Sequence, residues 1–112
     1  MTSEFTLLNE WCEKDSIDKS KVEFEGYQKF DKTILGYTSV YMGTTFIHIQ
    51  LVLKQTNFAK YGVLWHEYCH CYDYIKNGNL GHTSKWWSKF ITKPQYVFLS
   101  GVAQIVYKFI KD

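Results

Sequence analysis

The segment from Asn57 to Asn77 constrains this chain more than any other. It contains no proline, and a helical pattern runs through it until Gly78, a residue suited to ending a helix. An apolar lead-in, Val63-Leu64-Trp65, runs into His66-Glu67-Tyr68-Cys69-His70. On a helix, residues four apart lie about 40° apart around the axis and about 6 Å apart along it. His66 and His70 therefore present two imidazoles to one point. Glu67 lies one step round the helix, beside that point rather than on it.

The rest of the chain predicts an α+β domain. Ser3 is a plausible N-cap for a first helix, in which Phe5, Leu8, Trp11 and Cys12 form one stripe. From Val22 to Leu53 the texture changes to that of a small sheet of about three strands. Val22 and Phe24 alternate with glutamates, Ile34–Tyr41 is β-branched and aromatic, and Gly43-Thr44 turns into Phe46–Leu51. After the long helix, a short one follows His82-Thr83-Ser84 and carries Trp86, Trp87 and Phe90. The last helix follows Pro94, with Phe98, Val102, Ile105, Val106 and Phe109 expected on its buried side. No repeat or linker divides the chain, so residues 1–112 read as one domain.

Composition removes several classes. Aromatic residues make up 19% of the chain and apolar ones 46%, too many for a disordered protein. No apolar run reaches the roughly 18–20 residues that cross a bilayer, and Met1-Thr-Ser-Glu lacks a signal peptide's layout, so a cytoplasmic protein without membrane contact is expected. Three cysteines are too few for a disulfide scaffold or a four-cysteine zinc ribbon; Cys69 and Cys71 read as small buried hydrophobes. All thirteen basic residues are Lys. Residues 76–112 hold six of them against one Asp, whereas residues 1–75 hold seven against ten Asp and Glu. The basic C-terminal third suits weak, sequence-independent contact with single-stranded DNA through Lys85, Trp87 and Lys89, or simply a solvated lysine face. The lack of Arg makes base-edge reading unfavourable.

Two imidazoles and a flanking carboxylate in this pattern suit zinc, whose nitrogen ligands lie at about 2.0–2.1 Å, with the carboxylate placed to take a proton from activated water. Catalytic zinc needs a third protein ligand and an open fourth position. His82 is the candidate. The helix carries the chain about 10 Å beyond His70, and the residues from Gly78 to His82 can span about 16 Å on the way back. Gly78, Gly81 and the nearby asparagines supply the turns. His48 is a poorer rival, because its strand neighbours read as core. Asp73 shares the ligand face and either orients a ligand histidine through its second ring nitrogen or is a surface carboxylate near Lys76.

Leu35-Gly36, Phe46-Ile47-His48-Ile49, Val63–His70 and Gly81-His82 followed by Lys85-Trp86-Trp87 together resemble a SprT-like metallopeptidase domain over residues 34–92. The resemblance implies a zincin-like fold, His66, His70 and His82 as ligands of Zn²⁺, and Glu67 as general base. Thr83 stands where the family often has a second glycine. Metzincins fit less well, since they would need Gly and His where Asp73 and Lys76 stand. The resulting expectation is a zinc endopeptidase acting on protein or peptide, including DNA-associated proteins. An extended substrate is expected along an edge strand at Phe46–Leu51, and Tyr74, Tyr96 or His48 as oxyanion helper. The Arg-free composition suits a phage product in a host cytoplasm. Two rivals remain: a non-catalytic zinc-stabilised module that binds nucleic acid or protein, and a zinc hydrolase acting on a non-peptide amide such as peptidoglycan.

Overall fold

A computed structural model describes residues 3–30, 34–56 and 58–110. Its elements run α1 (Glu4–Lys14), β1 (Val22–Gln28), β2 (Gly36–Tyr41), β3 (Thr44–Gln50), α2 (Ala59–Asn77), α3 (Ser84–Phe90) and α4 (Pro94–Ile110), an α+β arrangement. Asn57, the expected start of the long helix, lies outside the described residues; the described helix opens at Ala59. None of the described helices is long and apolar enough to cross a membrane.

The Ser3 hydroxyl accepts the Thr6 N–H at 3.1 Å and caps α1, as expected. The buried face of α1 is Leu7, Leu8, Trp11 and Cys12. Phe5, expected on that face, is 60% exposed and meets only the rim, edge-on to Phe24.

β2 and β3 form an antiparallel hairpin through Met42 and Gly43, whose φ values of 51° and 81° suit a twist-matched two-residue turn. β1 then pairs with β3 in parallel, giving the order β1-β3-β2. This corrects the substrate-strand expectation: β3, which covers Phe46–Gln50, is the central strand, with both its edges paired. Among the described residues, β2 has a free edge on the side away from β3.

Thr45, Ile47 and Ile49 point from β3 into the core, where α2 contributes Leu64, Trp65, Tyr68, Cys69 and Cys71, all fully buried. Two of the polar side chains in this core are tied to distant backbone and carboxylate groups, whereas the indole nitrogen of buried Trp86 has no hydrogen-bond partner among the described residues. Trp65 Nε1 donates to the Phe90 carbonyl at 2.9 Å, and the Tyr68 hydroxyl donates to Asp15 Oδ2 at 2.5 Å. The αL residue Gly78 ends α2, its N–H donating to the Tyr74 carbonyl.

α4 crosses α2 at Gly62. A Cβ there would lie 2.2 Å from the Ser100 nitrogen and 2.4 Å from the Leu99 carbonyl carbon. Only glycine lets the two backbones approach so closely. This contact selects the small face of α4 as the inner one, burying Ser100 and Ala103. The stripe expected inside is largely outside: Phe98, Ile105 and Phe109 are 71%, 59% and 80% exposed. α4 is apolar on most sides, so periodicity alone did not distinguish its faces.

Candidate metal centre

α2 and the loop that leads into α3 bring the sequence-predicted histidines together. His66 and His70 come from mid-α2, and His82 returns on the loop that follows Gly78. One nitrogen from each ring lies within 4.8 Å of the others. His66 Nε2 and His82 Nε2 are 3.3 Å apart. Two nitrogens bound tetrahedrally at about 2.0–2.1 Å stand about 3.3–3.4 Å apart, so this pair already has the spacing of metal ligands. His70 Nδ1 is buried and makes no close hydrogen bond among the described residues, with the Leu80 backbone beside the ring. The set fits one metal ion.

Trp86 forms the floor beneath the three rings, with its centroid 4.7, 5.1 and 4.5 Å from those of His66, His70 and His82. It is buried, as is Phe90 beside it. An apolar floor limits ring rotation and excludes water from one side of the centre. Burial, reinforced by the neighbouring imidazoles, lowers the pKa of His66 to about 3. Burial and His82 take that of His70 to about 4, against the opposing pull of Asp73 and the Leu80 backbone. Both rings are therefore neutral at pH 7, the form that offers a lone pair to a metal.

Glu67 is buried, with Oε2 3.9 Å from His66 Nε2. The Thr38 hydroxyl, on β2, lies 2.9 Å from Glu67 Oε1 and 3.2 Å from the Glu67 carbonyl. Burial raises the Glu67 pKa to about 7, partly opposed by the Thr38 hydrogen bond. A carboxylate poised there can both take and return a proton near neutral pH. No local pattern marks Thr38, because the contact spans 29 residues. Gly36 permits it: a Cβ there would meet the His48 carbonyl oxygen at 2.7 Å and Val63 Cγ1 at 3.0 Å, so β2 packs directly on α2.

Above the histidines lies a cavity of about 840 Å³. Gly36, Tyr37 and Thr38 of β2 form one wall, and Gln104, Ile105 and Tyr107 of α4 form the other. None of the expected oxyanion candidates lines it. His48 sits on the opposite face of the sheet, stacked on Tyr37 at 4.2 Å and hydrogen-bonded to Ser39. Tyr96 packs on Trp11 and Trp65. Tyr74 is not among the lining residues; Tyr107 is the tyrosine other than Tyr37 that reaches the cavity.

Asp73 is fully buried rather than at the surface. Its carboxylate bonds no histidine; it accepts Asn77 Nδ2 at 2.8 Å and the Thr83 hydroxyl at 2.6 Å. Burial pushes the Cys71 thiol up to about 12 and raises Cys69 as well, so both remain protonated in the core. Trp87 is 52% exposed, and exposed Lys85 reaches Asn77 Oδ1 at 3.2 Å. Lys89, expected beside them as a phosphate contact, turns inward instead. Its Nζ lies 2.7 Å from Asp15 and 4.4 Å from the Tyr72 ring centroid, so its charge is already matched.

Comparison with protein-family models, curated proteins and solved structures finds no match, and the geometry of the centre itself carries the functional reading.

Proposed function

We propose that this chain is a zinc-dependent endopeptidase of the SprT-like kind. One observation carries the reading: three imidazole nitrogens converge within 4.8 Å beside a buried glutamate, at a cavity lined on one side by β2, whose outer edge is unpaired among the described residues. His66, His70 and His82 would hold the ion. The chemistry such an ion supplies when bound is Lewis acidity, which polarises a carbonyl and makes water nucleophilic at neutral pH.

The chain's own residues do the rest. Main-chain groups on the outer edge of β2 add an extended peptide as a further strand, laying its scissile bond over the histidines. Glu67, oriented by the Thr38 hydroxyl, accepts a proton from the attacking water as the new C–O bond forms. It then delivers that proton to the amide nitrogen as the C–N bond breaks, releasing an amine and a carboxylate. A purely structural zinc module has no use for a carboxylate held in this position by a second element.

The test is cleavage of casein by the wild-type protein and by Glu67→Gln, followed by mass spectrometry with and without single-stranded DNA. The near-isosteric amide cannot accept the proton, so a loss of about 10²–10⁴-fold is expected, with zinc retained. Equal cleavage by both proteins removes Glu67 from the reaction. Cleavage by neither overturns the peptidase reading in favour of a binding module.

A further inference from the structure

The loop between α2 and α3 carries His82 yet has no regular structure, so no helix or strand ladder fixes the backbone that bears the third imidazole. A third ligand on such a loop binds well only if something outside the metal fixes it. The strongest unexplained feature near the loop is the Asp73 carboxylate. It is wholly buried, and the contacts that hold its oxygens are neutral donors: Asn77 on its own helix and Thr83, the residue after His82. A buried carboxylate is costly unless its hydrogen bonds are made.

The Thr83 hydroxyl has two partners. It accepts the Trp86 N–H at 3.0 Å, which caps α3, and donates to Asp73 Oδ2 at 2.6 Å. The cap needs only the first of these. The second ties the start of α3 back to the ligand-bearing helix, three residues beyond His70. It also holds Trp86 under the three imidazoles. Lys85, one link away on Asn77 Oδ1, extends the same network to the surface.

We infer that Asp73 and Thr83 are positioning residues for His82: a hydroxyl–carboxylate clamp closes the loop onto α2 and sets the third imidazole before metal arrives. The inference rests on the three-histidine reading above. The clamp replaces a direct carboxylate–histidine contact, acting on the ligand through its backbone neighbour.

Zinc affinity, measured by competition with a chromophoric chelator, tests it. Asp73→Ala removes the clamp and leaves the cap; Thr83→Val removes both; Thr83→Ser keeps both. Far-UV circular dichroism and metal-free melting establish which variants fold, and Thr83→Val carries the test if Asp73→Ala does not. Asp73→Ala and Thr83→Val should weaken zinc binding by about 10–100-fold, whereas Thr83→Ser should stay within about threefold of wild type. A role confined to capping would lower the melting temperature of Thr83→Val and leave Asp73→Ala binding zinc normally. Folded Asp73→Ala and Thr83→Val that bind within threefold of wild type, while His82→Ala binds far more weakly, overturn the clamp alone. His82→Ala binding as tightly as wild type overturns the three-histidine reading and the clamp with it.

Discussion

Gly62 and Gly101 are both helical glycines on the crossing pair α2 and α4, and alanine at each should have opposite effects. At Gly62 an added Cβ would meet three backbone atoms, at 2.2, 2.4 and 2.8 Å. Ordinary contact begins near 3.4 Å. Backbone cannot rotate away, so α4 has to retreat by about 1 Å, loosening the seat of Ala103 and Ser100 and moving one wall of the cavity. Contacts this short, against backbone, put the overpacking cost at the upper end of the usual range, about 3 kcal/mol, against about 1 kcal/mol gained in helix propensity. A net loss of about 2 kcal/mol corresponds to a fall of about 8–16 °C in a small domain. At Gly101 the added methyl meets nothing within 4 Å, so only the propensity gain remains, a rise of a few degrees. Metal-free thermal melts of the two variants, followed by circular dichroism, provide the assay. Gly62→Ala melting at or above the wild-type temperature would refute the close crossing, and with it the position of the α4 wall.

Two further predictions concern charged side chains. Exposed Lys85 and Trp87 should give weak binding to single-stranded DNA in fluorescence anisotropy, falling steeply between about 50 and 200 mM salt. Binding that is absent at low salt, or unchanged in Lys85→Glu/Trp87→Ala, removes the DNA-directed reading. At Glu4, burial raises the carboxyl pKa, but hydrogen bonds from Tyr27 and its own backbone, with Lys60 nearby, outweigh burial and lower it overall. A depressed carboxylate pKa stabilises the fold above the unfolded value, near 4.5, and that stability is lost as pH falls through the folded value. Glu4→Gln should therefore melt below wild type at pH 7 and converge with it in acid; a difference independent of pH would contradict this.

Local patterns carried much of the fold and the centre. Helical spacing marks α2, and the reach of the chain after Gly78 lets His82 return to it. The capping residue Ser3 and the terminator Gly78 lie where short-range chemistry puts them. What stayed hidden depends on contacts between distant segments. Alternation shows which residues of a strand share a face, but not which strand is central; the parallel pairing of β1 with β3 makes β3 central rather than an edge. The inner face of α4 is set by one glycine on another helix, not by its own apolar stripe. The Thr38–Glu67 and Asp73–Thr83 bonds join residues with no periodic relation.

The central claim is an open three-imidazole centre for one zinc ion. X-ray absorption at the zinc edge of the zinc-loaded protein tests it most directly. The account predicts three imidazole nitrogens at about 2.0–2.1 Å plus one further light scatterer from solvent, with one nitrogen lost in His82→Ala. Sulfur at about 2.3 Å, or a centre closed by four protein ligands, would contradict it.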